Sequence, residues 1–491
     1  MRRSPSLPRY TSSRRNTGQR EQPLIGHSSS HQWPANATST TWTRLLHFDW
    51  THRRGISRVG EESLRIESLR IQLYRSLYDV TLSPRPFRLV VGANNAGKTN
   101  LLDAIHFLGE VHRYGIDVAV GRKGGFENVA YRHQRRTRNP IAFTIVVSLT
   151  ASELVRARPL RATRLRKPRY DIPDRLYIRH HFELKADSRA IAADFSVSLE
   201  TIELFNRSPS EASPLATVVR RGDNLDFRVD SSVAGLGARA PSVYPLNDDS
   251  FQAFAREALR PLSLAIDSMD FNEALRLFAS GLSQTRLYQF SPLECRKPGV
   301  PTRYPELERH GGNLPAVVAY MQTRHLNEWK SVMSQMKEVV PTLSDVKTDY
   351  TGDRRIALQF VETGYGRPWS SEDISDGTVQ SLALFCALFD PRTPFVLVEE
   401  PENAIHPWIV RVFARACQTV SDKQVLVTTH SPVLIAHVSP EEIDVAWRAA
   451  GRTHVQPMSS LDTVAVKEWT EGTVDAFDLI DMGAIQQAVP G

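Results

Sequence analysis

Phe87-Arg88-Leu89-Val90-Val91-Gly92-Ala93-Asn94-Asn95-Ala96-Gly97-Lys98-Thr99-Asn100 is an apolar run that breaks into a glycine-bounded loop and then opens a helix. Its spacing, Gly92 followed after four residues by Gly97-Lys98-Thr99, is that of a phosphate-binding loop set between a strand and a helix. The two glycines let backbone N–H groups turn inward around phosphate oxygens, and the N-terminus of the helix favours their negative charge. Lys98 is expected to reach the terminal phosphates, and the Thr99 hydroxyl to ligate Mg²⁺. Leu101, Leu102, Ile105 and Leu108 then fall on one face of a helix over Asn100–Tyr114, the stripe that packs on a sheet. An ordinary Gly-rich turn requires neither the strand before it nor the helix after it.

Three later segments fit the same chemistry. Phe395-Val-Leu-Val398 predicts a buried strand, with Glu399, Glu400 and Pro401 at its C-terminal end, where α/β sheets place ligands. One acid there can hold the hydration shell of Mg²⁺ while the next orients or deprotonates an attacking water. Gln424–Thr428 is a second apolar strand, ending in Thr429, His430 and Ser431. A strand-end histidine can contact a γ-phosphate or the attacking water, or be an ordinary satisfied side chain. Ser375, Asp376 and Gly377 precede an apolar helix, Val379–Leu388, and locally read only as a helix start with a capping residue.

With 491 residues, the chain has room for two or three domains. Composition suggests four regions: 1–60, 61–150, 151–345 and 346–491. Residues 1–60, rich in Ser, Thr, Pro and Arg, lack periodicity and predict a disordered basic tail, a transit-like leader or a start codon set too far upstream. Strands are expected at Leu64–Leu73, Phe87–Val91 and Ile141–Ser148. The stretch from about 150 to 345 mixes strand-like runs, at Leu176–Leu184 and Asp194–Leu204, with helical ones at Phe251–Met269, Asn272–Leu282 and Leu314–Val340. Beyond it the strand pattern returns.

A net charge of +7 and a pI near 9.3 suggest a polyanionic partner. The excess is concentrated in residues 1–60, with ten arginines against Glu21 and Asp49, whereas residues 61–491 hold 51 basic and 52 acidic residues. The one dense basic run in the body is Arg156–Arg169, seven cations and no acid, the local candidate for a nucleic-acid contact or a solvated loop. Cys295, Cys386 and Cys417 are isolated, which argues against a zinc or disulfide framework and suits a reducing cytosol. No apolar run approaches the ~18 residues of a membrane span, so a cytoplasmic protein is expected.

In order, GANNAGKTNLLDAI, ISDGTVQSLAL, VLVEEPENAIHP and VLVTTHSPVLI resemble the Walker A, signature, Walker B with D-loop, and switch-histidine segments of ABC-type AAA ATPases of the SMC, RecF and OLD-like group. The resemblance covers about residues 64–490, including Gly311–Leu314 and the C-terminal DLIDMGAI. It implies an α/β P-loop NTPase of ABC-type head architecture, with a mixed strand and helix insertion between Walker A and the signature. It implies ATP and Mg²⁺ bound through Gly92, Asn95, Ala96, Gly97, Lys98, Thr99 and Asn100. Glu399 takes the metal-supporting position, Glu400 that of the catalytic base and His430 that of the γ-phosphate sensor.

Ser375, Asp376 and Gly377 are implied to touch ATP on the opposite subunit of a head-to-tail homodimer. Gln134 is a candidate Q-loop residue. Two departures stand out: Glu399 replaces the usual Asp, and Asn403 and His406 replace the Ser and Asp of many transporters. Only 61 residues follow His430, too few for the TOPRIM nuclease domain of OLD nucleases, so a nuclease or toxin activity is expected on a separate partner chain. The resemblance favours an ATP-hydrolysing dimeric switch acting with DNA or an effector in phage defence or DNA maintenance. A nucleotide-dependent scaffold with little turnover and a RecF-like repair clamp are the alternatives. The absence of an N-K-x-D guanine-reading motif favours ATP over GTP.

Overall fold

Phe87, Leu89 and Val91 turn into one apolar layer while Val90 turns into another, so the strand before the loop is buried on both faces. The same division recurs next door. Val396 and Val398 join the first layer, and Phe395 and Leu397 the second; Val425 and Val427 oppose Leu426 in the same way. Continuous apolar runs of this kind are what a parallel strand covered on both sides requires. The computed structural model describes residues 64–131, 139–156, 174–187, 194–231, 246, 248–269 and 272–461. Gln134, the tail 1–60, the basic run beyond Arg156 and the DLIDMGAI segment lie outside the described residues.

Thirteen of the described strands form one mixed sheet. One half comprises Asn224–Val229, Ala216–Arg221, Phe195–Phe205, Arg175–Ala186, Ile141–Thr150, Arg65–Tyr74 and Leu77–Leu82, side by side in that order and all antiparallel. The other half continues with Arg452–Pro457, Ile443–Ala449, Phe87–Val91, Gln424–Thr429, Phe395–Glu399 and Arg286–Tyr288. Its last five strands run parallel, which brings Val91, Thr429, Glu399 and Tyr288 to one edge. Lys98–Tyr114 packs on the layer shared with the antiparallel half. Leu314–Arg324, Leu326–Val339, Asp376–Phe389 and Pro407–Thr419 pack on the other.

Several elements differ from the sequence expectation. The helix expected over Leu314–Val340 is two helices, broken at His325, whose φ of −134° and ψ of 56° are not helical. The helix expected over Phe251–Met269 ends at Ala258, ahead of Pro261, and resumes only as a 3₁₀ turn at Ala265–Ser268. A three-stranded sheet, Leu343–Tyr350, Ile356–Glu362 and Trp369–Ser370, leads into the helix at Asp376.

Candidate nucleotide-binding site

Gly92 and Gly97 are glycines for a spatial reason. A Cβ on Gly92 would lie 2.0 Å from the Ala446 carbonyl oxygen, and one on Gly97 would lie 2.1 Å from Thr453 Oγ1, at a φ of 104°. The loop is therefore seated on the hairpin Ile443–Pro457, which the sequence reading did not foresee. Thr453 also donates its N–H to the Ser76 carbonyl at 2.9 Å, and its hydroxyl lies 2.8 Å from Ser76 Oγ. Asn100 Nδ2 donates to the same Ser76 oxygen at 2.7 Å. Ala96 is buried among the apolar side chains beneath the loop. Asn95, exposed at φ 67°, accepts a hydrogen bond from Arg448 at 3.2 Å.

Lys98 is buried and its Nζ donates to the carbonyls of Gly92 and Ala93, at 2.8 and 3.2 Å, and meets His430 Nε2 at 2.6 Å. Burial pushes its ammonium below the usual lysine range, against the pull of Glu400, Glu402 and Glu399. Burial and the Lys98 charge together lower His430, so its ring is neutral at pH 7 and Nε2 accepts from the ammonium. Glu402 orients this histidine, accepting from its backbone N–H and from Thr429 Oγ1, both at 2.7 Å.

Thr99 Oγ1 donates to Glu399 Oε1 at 2.5 Å. The other oxygen, Oε2, accepts from Arg309 at 3.2 Å. The Thr99 hydroxyl and the Glu399 carboxylate are two oxygen ligands that suit Mg²⁺, which takes few protein ligands and completes its shell with water and phosphate. Among the described residues no cluster of three or more His, Cys, Asp or Glu forms an all-protein metal cage. Glu400 follows at φ 46°; its N–H is bonded to the Thr428 carbonyl at 2.9 Å and its Oε1 lies 3.6 Å from His430 Nε2. Asn403 Nδ2 holds Oε2 at 3.0 Å.

Ser375, Asp376 and Gly377 are not brought to this cluster. Ser375 caps its own helix through the Thr378 N–H, Asp376 pairs with Arg296, and both are exposed. Their helix instead packs beside the turn after Glu400, where Gly377 approaches Ala404 and Ile405 and Gln380 donates to the Pro401 carbonyl at 3.4 Å.

Four contributors escaped sequence reasoning: Arg309, Glu402, Arg448 and Gln289. Gln289 follows the three-residue strand Arg286–Tyr288 that flanks Phe395–Glu399, and its side-chain oxygen lies 3.4 Å from Arg309 Nη2. The second acid of the Glu400-Pro-Glu402 run was a visible signal for Glu402; the other three had none. Beside Asn100 a cavity of about 520 Å³ is lined by Arg75, Ser76, Lys123, Asn128, Arg448 and Gly451. Arg448 links it to the loop through Asn95.

No curated protein matches the chain. Among solved structures, an SMC head bound to the C-winged helix domain of ScpA is 14% identical at a TM-score of 0.40, with 80% of this chain and 97% of that one covered. A Pyrococcus furiosus Smc head domain with an extended coiled coil, bound to the C-terminal domain of ScpA, is 14% identical at 0.38, with 84% and 100% covered. A Pyrococcus yayanosii Smc head with a coiled coil and joint is 10% identical at 0.39, with 86% and 100% covered. The family described as "AAA domain, putative AbiEii toxin, Type IV TA system" matches residues 89–436, well over half the chain and all four motifs. The chain belongs to this AAA-domain family, whose P-loop ATPase domain spans the four motifs.

Proposed function

We propose that the chain binds ATP with Mg²⁺ through Gly92–Asn100 and hydrolyses it as a homodimer. The observation that carries this reading is the convergence of Lys98, Thr99, Glu399, Glu400 and His430 from three parallel strand ends. Phosphates entering the loop offer the Lys98 ammonium better acceptors than two neutral carbonyls. Glu400 is the base: its carboxylate lies beside a neutral histidine, so His430 can hold the attacking water while Glu400 takes its proton. Thr99 and Glu399 would hold Mg²⁺, which would supply charge neutralisation of the phosphates when bound. The cavity bearing Arg75, Lys123 and Arg448 is the proposed seat of the rest of the nucleotide. Gln289, at the strand end beside Glu399, is proposed as a Q-loop residue in addition to Gln134.

Ser375, Asp376 and Gly377 are assigned to a nucleotide held by a second copy, because they are exposed and bonded away from their own phosphate loop. The proposed effector is a separate chain of nuclease or toxin type; the family's description itself names a putative toxin of a toxin–antitoxin system. The test is ATP turnover with and without DNA. Hydrolysis lost in Lys98→Ala supports the reading. A wild-type rate equal to that control would leave the low-turnover scaffold, which Glu399 in place of Asp also favours.

A further inference from the structure

Arg309 reaches two side-chain oxygens with a single nitrogen: its Nη2 donates to Glu399 Oε2 at 3.2 Å and to Gln289 Oε1 at 3.4 Å. Glu399 Oε1 holds the Thr99 hydroxyl at the same time. One carboxylate thus couples a protein cation to the hydroxyl expected to ligate Mg²⁺. The arginine is held there by its backbone. Its carbonyl accepts from Gln289 N–H at 2.9 Å, and the next carbonyl, of His310, accepts from Ser291 N–H at 3.3 Å and Cys295 Sγ at 3.6 Å. Gly311 follows at φ 85°, where a Cβ would sit 2.3 Å from Cys295 Sγ. Asn313 closes the loop, accepting from Glu308 N–H and donating to the Glu306 carbonyl.

The two partners differ in exposure. The Glu399 side chain is 7% exposed and that of Arg309 39%, so the carboxylate is committed to the interior while the guanidinium has a way out to water. A buried carboxylate without a counter-charge is costly. Two cations on one carboxylate group repel each other.

We propose that Arg309 is a resident cation for Glu399. It neutralises and aligns this carboxylate while no nucleotide is bound, and it gives way to the divalent cation that enters with the phosphates. The proposal rests on the nucleotide reading above. Arg309 is accordingly a positioning residue that acts through Glu399, and its competition with the metal sets how much Mg²⁺ is needed for loading.

The test titrates Mg²⁺ into the full-length protein with a fluorescent, slowly hydrolysed ATP analogue at fixed concentration, and measures melting in EDTA. Arg309→Gln is expected to lower the half-saturating Mg²⁺ concentration about threefold to tenfold and to lower the melting temperature in EDTA. In saturating Mg²⁺ and nucleotide it should melt with the wild type, which also shows that it folds. Arg309→Lys keeps the charge and should stay within about twofold of wild type. An unchanged or higher Mg²⁺ midpoint in Arg309→Gln overturns the proposal, as does an Arg309→Lys protein shifted as far as Arg309→Gln. A wild type with no Mg²⁺-dependent nucleotide binding overturns the nucleotide reading and this inference with it.

Discussion

Glu400 carries its carboxylate on a left-handed backbone, φ 46°, held by the Thr428 carbonyl and by Asn403. A residue other than glycine in that region costs roughly 1–3 kcal/mol, and such residues cluster at working sites. Glu400→Gln keeps the shape and the Asn403 contact. It should retain ATP, lower turnover about a hundredfold or more and accumulate the dimer, as read by steady-state hydrolysis and light scattering; normal turnover would remove Glu400 from the base's role. Lys98→Ala should abolish nucleotide binding in a direct titration. Gly97→Ala forces a side chain into Thr453 at φ 104° and should lose binding as well as about 1–3 kcal/mol of stability in denaturant unfolding. The loop, the paired acids and His430 were legible because each follows a short, mostly apolar strand. Arg309, Arg448 and Gln289 were not, since an arginine or glutamine in a loop carries no periodicity. What singles out Arg309 and Arg448 is contact with residues 90 and 353 positions away, and what singles out Gln289 is its contact with Arg309.

Among elements, the helix Asp376–Phe389 offers the sharpest test, because Ser375 has two separable jobs. As the N-cap it bonds the Thr378 N–H; as a proposed signature residue it faces a second copy's nucleotide. Ser375→Ala should cost about 1 kcal/mol through the lost cap. Ser375→Asp keeps a capping side chain but sets a negative charge toward phosphate. It should melt near the wild type, by calorimetry, yet form no ATP-dependent dimer in size-exclusion chromatography. A dimer of wild-type strength would retire the trans contact. Strands buried on both faces were readable from sequence. The hairpin Ile443–Pro457 was missed because Arg452–Pro457 carries Thr453, His454 and Gln456 among few apolar residues. Arg286–Tyr288 is too short for any period to show. The antiparallel hairpin of Ala216–Arg221 and Asn224–Val229, turned at Gly222, hid among charged residues.

The whole molecule should respond to acid in a definite sense. His106, His112, His181, His325 and His430 all have lowered pKa values, burial being the first cause in each; His106 falls to about 4. Above the usual 6.5 they are neutral whether folded or not. Below it the unfolded chain takes up protons that the folded chain refuses, so stability is lost as pH falls toward about 4. Asp267, raised by burial to about 7, and Asp444, also raised, act in the opposite direction and lose stability as pH rises from the carboxylate range. Five groups against two predict a melting temperature that drops from about pH 7.5 to about pH 5.5; a flat or rising profile would show that the carboxylic acids dominate.

The phosphate loop and its partners are far apart along the chain. Lys98 meets His430 across 332 positions, Thr99 meets Glu399 across 300, and Asn95 meets Arg448 across 353. At the ordinary pace of translation, on the order of 5–20 residues per second, about 20–70 s separate synthesis of the loop from arrival of the strands that complete it. Throughout that interval the ribosome-bound chain carries a recognisable phosphate loop that lacks its acids, its histidine and the hairpin on which it rests. On the proposed reading, capture of nucleotide therefore waits for the end of synthesis, and a nascent chain stalled before residue 395 should be blind to ATP.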